Sequence, residues 1–150
     1  MMSRTLCVML LACAVVSPAM PRGQSPQSPT ITVYKSATCG CCSKWVEHMR
    51  AAGFEAKVLD VDDTQVVKKT YGVPSRLASC HTALVGTYVI EGHVPADAIK
   101  RALRERPAIA GLAVPGMPAG SPGMEVAGRR DPYSIVSFDK AGKQEVYEQR

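Results

Sequence analysis

The chain has 150 residues, which is enough for one domain with a modest core. It carries 18 basic and 13 acidic residues, for a net charge of +5, and aromatic residues make up only 5% of it. The charges are scattered and no basic stripe is interleaved with aromatic residues. This composition argues against a nucleic-acid-binding protein and indicates an ordinary solvated surface.

The N-terminal segment, residues 1–19, is predicted to be a secretory signal peptide. Arg4 supplies a positive charge, residues 6–16 are apolar, and residues 17–19 form a small-residue cleavage pattern. The apolar run is too short to span a bilayer. Leu-Leu-Ala-Cys, ending at Cys13, also resembles a lipobox, so a lipid anchor is an alternative, although the apolar run continues past Cys13. Both interpretations place the mature chain outside the cytoplasm.

Four of the six cysteines remain after this cleavage, namely Cys39, Cys41, Cys42 and Cys80. Outside the cytoplasm, an even number of cysteines usually indicates disulfides. The spacing argues against two of them, because adjacent Cys41 and Cys42 would close a strained ring. A single disulfide to Cys80 would leave two crowded thiols. Four thiolates around a soft metal are the more economical interpretation.

The first predicted elements surround the cysteine cluster. Residues 20–29 contain three prolines and no apolar periodicity, which predicts a flexible linker. Residues 30–34 (TITVY) predict a strand. A helix closed by Gly53 should follow, because apolar residues recur at helical spacing. These residues are Cys42, Trp45, Val46 and Met49.

The next elements complete a small α/β domain. We predict a strand at 54–61, a helix at 62–72 capped by Asp62 or Asp63, a hairpin at 82–85 and 87–91, and a helix at 95–106. The inner face of the last helix is predicted to hold Ala98, Ile99, Ala102 and Leu103. The order β-α-β-α-β-β-α is that of the thioredoxin-like fold, within a single domain at residues 30–150.

The C-terminal part of the chain differs in composition. Residues 107–125 are rich in Gly, Pro and Met and are predicted to be a loop without helix or strand. Residues 133–148 are predicted to form a β-hairpin that turns at 139–142.

The cysteine turn suits redox chemistry and metal capture equally well. A thiolate at a helix N-terminus faces unpaired N–H groups and the positive end of the helix dipole, which lowers its pKa. Cys39 and Cys42 form a C-x-x-C dithiol, and Cys41 is the thiol that a simple dithiol leaves unused. Gly40 is expected to permit the tight turn that lets three sulfurs face one point.

Topology predicts the partners of this turn. If the third strand runs antiparallel to the first, then Cys80 and His81 lie at the same end of the sheet as the cysteine turn. The fourth strand returns to that end with the segment 91–93, which includes His93. Four cysteines and two histidines would therefore converge.

The remaining candidates are separated by distance and chemistry. His48 lies about 10 Å along the helix from Cys41, at 1.5 Å per residue, and cannot share an ion with it. His81 and His93 are each either metal ligands or structural residues. Met117 and Met124 either fill gaps in the packing or supply soft thioether ligands, which suit Cu(I).

The crowded thiols favour copper among the soft metals. Structural zinc sites use two separated C-x-x-C pairs, whereas three adjacent thiols and a remote one favour bridging sulfurs. Cu(I) accepts bridged thiolates of low coordination number, so it is preferred to zinc, and zinc to an iron–sulfur cluster.

Four motifs then resemble a known family in order along residues 30–148. They are T-C-G-C-C-x-K-W, G-V-P-S-x-L-x-S-C-H-T-A, V-I-E-G-H-V-P-A and G-L-A-V-P-G-M-P-x-G-S-P-G-M-E. They resemble the CopG-like copper-resistance proteins, a bacterial family of metal-binding proteins. The resemblance implies a periplasmic thioredoxin-like domain with a cysteine-bridged multinuclear copper cluster that interconverts Cu(I) and Cu(II). The four cysteines match those of the family.

The leading hypothesis is therefore a periplasmic copper-binding protein of copper resistance. Its expected partners are copper ions, other periplasmic copper-resistance proteins and an electron-transfer partner, with no nucleic acid and no membrane span. One alternative is a thiol–disulfide oxidoreductase that uses Cys39 and Cys42. A structural zinc-binding domain is another.

Overall fold

The fold is a mixed α/β arrangement of seven strands and three helices in a computed structural model that describes residues 28–150. The helices are α1 (Gly40–Ala51), α2 (Thr64–Thr70) and α3 (Ala96–Glu105). The strands are β1 (Thr30–Lys35), β2 (Glu55–Asp60), β3 (Thr82–Val85), β4 (Tyr88–Glu91), β5 (Gly111–Ala113), β6 (Ser134–Phe138) and β7 (Gln144–Gln149). The predicted signal peptide and most of the predicted linker lie outside the described residues.

All seven strands form one sheet in the order β2-β1-β3-β4-β5-β6-β7. β1 is parallel to β2 and β4 is parallel to β5, while the other neighbouring pairs are antiparallel. The predicted α/β class, the order of elements up to α3 and the antiparallel pairing of β1 with β3 are confirmed. This arrangement is compatible with the thioredoxin-like fold.

Helix α1 buries the apolar stripe that its sequence predicts. The buried residues of this helix are Cys42, Trp45, Val46 and Met49. Trp45 is fully buried, and its indole Nε1 donates a hydrogen bond of 2.9 Å to the carbonyl of Val94. This bond satisfies the buried indole N–H and joins α1 to the segment that leads into α3.

Helix α2 begins at an aspartate cap, as predicted. Of the two candidates, Asp63 is the cap, and its carboxylate accepts a hydrogen bond of 2.7 Å from the backbone N–H of Gln65. The helix buries Lys68 rather than an apolar side chain. Among residues 28–150, no helix is both long enough and apolar enough to cross a membrane.

The predicted loop at 107–125 was wrong at one place, because β5 lies within it. Its three residues, Gly111–Ala113, are all buried and pair with β4 on one side and β6 on the other. A segment of three residues is too short to show the alternating hydrophobic pattern of a strand. It is a strand because it pairs with β4 and β6 in the sheet. The C-terminal hairpin is confirmed as β6 and β7, with Ile135 and Phe138 in the core.

Two glycines have opposite surroundings. A Cβ at Gly111 would lie 2.1 Å from the carbonyl oxygen of Val89 and 2.6 Å from the ring of Phe138. A Cβ at Gly40 would meet nothing within 4 Å, and its φ is not in the left-handed region. Glycine at position 40 permits the cysteine turn but is not required for it, because a side chain fits there and any residue can adopt this first helical position.

We expect Gly111→Ala to destabilise the protein by about 1–3 kcal/mol, because the added methyl group overlaps the backbone of the neighbouring strand. Gly40→Ala is the matched control and should leave stability unchanged or slightly raised, because alanine restricts the unfolded chain. Urea unfolding of both variants checks this. Equal stability of the two variants would contradict it.

Candidate metal centre

The cysteines lie at one end of the sheet because of the strand directions. Cys39 is the N-cap residue of α1, and Cys41 and Cys42 lie in its first turn. Cys80 is two residues before β3, which runs antiparallel to β1. The end of β1 and the beginning of β3 therefore lie at the same end of the sheet. The cysteine turn follows β1 there, and Cys80 precedes β3 there.

Four sulfur atoms converge at this end. The Sγ atoms of Cys39, Cys41, Cys42 and Cys80 all lie within 4.8 Å of one another. Cys39 and Cys42 form a disulfide with a Cα–Cα distance of 5.4 Å, and the Sγ of Cys41 is 3.6 Å from that of Cys39. Cys41 and Cys80 are free. The predicted convergence is present, but the protein has one disulfide and two thiols, because the N-cap residue and the third residue of a helix fall within disulfide range.

His93 faces Cys80 with one ring nitrogen. Its Nε2 lies 2.9 Å from the Sγ of Cys80, and its Nδ1 lies 2.7 Å from the carbonyl oxygen of Pro122. A carbonyl only accepts, so Nδ1 carries the hydrogen and donates it. Burial lowers the pKa of His93, so the ring is neutral and Nε2 presents its lone pair to Cys80. An outer hydrogen bond of this kind orients histidines that bind metals.

His81 approaches Cys80 from inside the protein. Its Nδ1 lies 3.5 Å from the Sγ of Cys80, and its ring centroid lies 4.4 Å from that of Trp45. The ring is fully buried, and its Nε2 has no hydrogen-bond partner. Burial, with the positive charges of the Lys68 and Lys35 ammonium groups, holds the pKa of His81 well below its usual value. His81 is therefore neutral, with a lone pair available to a metal.

The Cys80 thiol is protonated in this state. Burial, together with the neighbouring Cys41 side chain, raises the pKa of Cys80 to about 11. The neutral thiol can donate its hydrogen to Nε2 of His93. A metal that binds the Cys80 sulfur must therefore displace a proton at neutral pH. The ligand atoms of Cys80, His81 and His93 also lie within 4.8 Å of one another, so Cys80 belongs to both groups.

The segment 114–124, named here the methionine strap, folds back over the site. Its Gly116 carbonyl accepts a hydrogen bond of 2.5 Å from Ser79 Oγ, next to Cys80. At its other end, a Cβ on Gly123 would lie 2.7 Å from the carbonyl oxygen of Cys41, so only glycine allows this approach. Met117 and Met124 each adjoin one of these glycines. Met117 is 54% exposed and Met124 is half-buried.

Sequence patterns did not identify two parts of this site. One is the Pro122 carbonyl, which carries no side-chain signal. The other is Glu91, which is fully buried beside Lys68. A glutamate at the end of the apolar strand Y-V-I-E was a usable signal, because buried carboxylates are rare unless paired.

These features define a small α/β protein with a metal-binding cluster of cysteine and histidine residues at one end of its sheet. Residues 77–124 match the family described as Protein of unknown function, DUF411. None of the curated proteins compared with the chain matches it.

Two solved structures are similar to the chain. "Copper resistance protein copG- Form 2" is 42% identical with a TM-score of 0.78, over 82% of this chain and 98% of that chain. "Copper resistance protein copG- Form 1" is 43% identical with a TM-score of 0.76, over 81% of this chain and 96% of that chain. The chain belongs to the CopG-like copper-resistance family.

His48 lies outside the metal cluster and has a structural role. It is half-buried, and its Nε2 accepts a hydrogen bond of 3.2 Å from the backbone N–H of Ala96, at the start of α3. Burial lowers the pKa of His48, while the carboxylates of Glu125 and Asp97 oppose this shift. Protonation would remove the acceptor from this helix terminus.

The free energy of unfolding should therefore fall as the pH drops below about 6.5, the pKa of histidine in the unfolded chain. Between that value and the lower folded pKa, the unfolded state binds more protons, so stability is complete above this window and is lost below it. His48→Gln keeps an acceptor that does not titrate and should have a smaller slope. Urea unfolding between pH 7.5 and 5 measures both, and identical slopes would refute the role of His48.

Proposed function

We propose that this protein is a periplasmic copper-binding protein of copper resistance. It holds Cu(I) in a multinuclear cluster bridged by the thiolates of Cys39, Cys41, Cys42 and Cys80. The observation that carries the proposal is the convergence of the four sulfur atoms within 4.8 Å of one another. The copper-resistance names of the two similar structures support the choice of metal.

The donor set suits Cu(I) better than zinc. Thiolate is a soft ligand, and Cu(I) accepts bridged sulfurs at low coordination number. A structural zinc ion takes four ligands in a closed tetrahedron. Here the sulfurs are half-exposed, apart from the buried Cys42, and three of them come from one turn. This crowding favours sulfurs shared between several ions.

Cluster formation requires the disulfide to be reduced. A dithiol reductant supplies two electrons and two protons, so that Cys39 and Cys42 become thiols and the reductant becomes a disulfide. Copper binding then displaces the thiol protons to solvent, including the proton that the raised pKa retains on Cys80.

The same pair of cysteines can interconvert the two copper states. When two Cu(II) ions each accept one electron, Cys39 and Cys42 together lose two electrons and form the S–S bond. Any protons on the two thiols pass to solvent. The reverse supply of electrons comes from an electron-transfer partner of the thiol class, in line with the proposed place of the protein among periplasmic copper-resistance proteins.

Histidine and methionine side chains extend the site. His81 and His93 are proposed as ligands on the Cys80 side, where each presents a ring nitrogen within 3.5 Å of the Cys80 sulfur. Met117 and Met124 are proposed as thioether ligands at the two ends of the methionine strap. Thioethers remain reduced under conditions that oxidise thiols to disulfides, which suits them to the periplasm.

One observation favours a second candidate, a thiol–disulfide oxidoreductase. The Cys39–Cys42 disulfide closes a C-x-x-C motif at a helix N-terminus, the position of a redox-active dithiol. Such an enzyme needs neither Cys41 nor Cys80.

Cys41→Ser and Cys80→Ser should each abolish cluster formation, because either change removes a bridging sulfur. The control is Ser43→Ala, which alters an exposed neighbouring residue in the same helix. The mature protein is purified from copper-supplemented periplasm, and metal per chain is counted. Wild type and control should retain more than one copper ion per chain. Zinc in its place, or normal insulin reduction with no copper bound, would favour the alternatives.

The redox step predicts a fixed ratio of products. Reduced, metal-free protein mixed with Cu(II) without oxygen should yield two Cu(I) for each Cys39–Cys42 disulfide. Cu(I) is measured with a colorimetric chelator and the disulfide by mass spectrometry after alkylation. Cys42→Ser should give no intramolecular Cys39–Cys42 disulfide. Cu(I) production with all four cysteines still reduced would contradict this coupling.

A further inference from the structure

Glu91 is a fully buried carboxylate that contacts the residues on either side of Cys80 and His81. It is the last residue of β4 and lies directly opposite Thr82 of β3. Directly opposed residues in a sheet place their side chains on the same face. Glu91 therefore faces the beginning of β3, next to the segment that carries Cys80 and His81.

The hydrogen bonds and the ion pair of this carboxylate involve that segment and its counterion, Lys68. Oε1 accepts a hydrogen bond of 2.5 Å from the backbone N–H of Ser79 and forms an ion pair with the Lys68 ammonium at 2.9 Å. Oε2 accepts a hydrogen bond of 2.7 Å from the Thr82 hydroxyl. Lys68 also donates to Thr82 Oγ1 at 3.2 Å. These four residues form a closed polar network, named here the Glu91 network.

The Glu91 network fixes both ends of the segment 79–82. Its anchors are Ser79, immediately before Cys80, and Thr82, immediately after His81. Between them, the backbone N–H of Gly92 donates to the carbonyl of His81 at 2.9 Å. The tripeptide 91–93 thus holds this segment through Glu91 and Gly92 and presents the His93 ring to the Cys80 sulfur.

Glycine at position 92 is part of the same arrangement. Its φ is +70°, and a Cβ there would lie 2.6 Å from Ser79 Oγ and 2.7 Å from the carbonyl oxygen of Val114. The turn after Glu91 therefore lets Ser79 and the methionine strap approach the backbone. In the motif E-G-H, Glu91 thus anchors the segment 79–82, Gly92 allows Ser79 to approach the backbone, and His93 is a candidate ligand.

Stability alone does not explain a buried charge pair. Removing Lys68 and Glu91 from water costs several kcal/mol per ion, and an apolar pair of similar volume often gives equal stability. What an apolar pair cannot do is accept hydrogen bonds from Ser79 and Thr82. The distinctive effect of Glu91 is to fix the position of the segment between them.

We propose that Glu91, with Lys68 as its counterion, is the positioning residue of the metal centre and holds Cys80 and His81 against the Cys39–Cys42 turn. Glu91 belongs to neither group of candidate ligands and acts through the residues that it anchors. The inference rests on the proposed copper function for its metal-binding consequence. Its effect on Cys80 in the metal-free protein is independent of copper.

The test compares three changes. The double variant Lys68→Met with Glu91→Leu removes both charges and all the anchoring acceptors while it preserves volume. Glu91→Gln keeps one oxygen acceptor for Ser79 and Lys68 and is the conservative variant. Ile99→Val, a change at a fully buried residue of α3, is the control for a general loss of stability.

In the first measurement, reduced protein competes for Cu(I) with a chelator, and X-ray absorption counts the sulfur ligands of copper. We expect the double variant to lose about 10–100-fold in Cu(I) affinity, as for other residues that orient ligands. Its number of sulfur ligands should fall, and Glu91→Gln should be intermediate. Ile99→Val should keep the wild-type affinity and coordination. A folded double variant with wild-type affinity and coordination would overturn the proposal.

In the second measurement, the metal-free protein with the Cys39–Cys42 disulfide is alkylated with iodoacetamide. Release of the segment should raise the alkylation rate of Cys80 several-fold in the double variant and leave that of Cys41 unchanged. Equal rates at Cys80 in wild type and variant would overturn the positioning role. If the wild type itself binds no copper, the proposed function fails and this measurement still decides the role of Glu91. If the double variant does not fold, Glu91→Gln serves in its place for both measurements.

Discussion

Because β3 runs antiparallel to β1, the residues that precede β3 lie beside the residues that follow β1. This single pairing brings Cys80 to the turn that carries Cys39, Cys41 and Cys42. In the sequence, Cys80 is separated from that turn by α1, β2 and α2. β4 then returns antiparallel to β3 and delivers His93 to the same end. The clustering of the four cysteines with His81 and His93 therefore depends on the directions of the strands. The remaining contacts adjust the positions of these side chains within the cluster.

Burial gives these donors their resting chemical state. Desolvation disfavours the charged form of each group, so it lowers the pKa values of His81 and His93 and raises that of the Cys80 thiol. Two neutral imidazoles and a protonated thiol can be held close together without the repulsion that charged groups would have. A metal ion that binds the Cys80 sulfur would displace the thiol proton. Lys68 pairs with Glu91 at 2.9 Å, so the charge of each buried group is compensated by the other.

Several elements close the site from different directions. The methionine strap contacts Ser79 at one end and the first turn of α1 at the other. Its Pro122 carbonyl sets the tautomer of His93, and the Val94 carbonyl fixes the indole of Trp45 that packs on His81. Backbone carbonyls of the strap and of the turn before α3 thus orient side chains that the cysteines alone would leave free to rotate.

The sequence by itself determined the elements with strong local signals, which are the apolar stripe of α1, the cap of α2, the order of strands and helices up to α3, and the crowding of three cysteines in one turn. Periodicity and capping are local properties, so they can be read over a few residues. The sequence left the pairing of the cysteines open, missed β5 and gave no role to Glu91. Only the tertiary structure decided these, because β5 is a strand only between β4 and β6, and Glu91 has partners only where β3, β4 and α2 meet. Contacts between distant segments depend on the directions in which the chain returns, which no short stretch of sequence encodes.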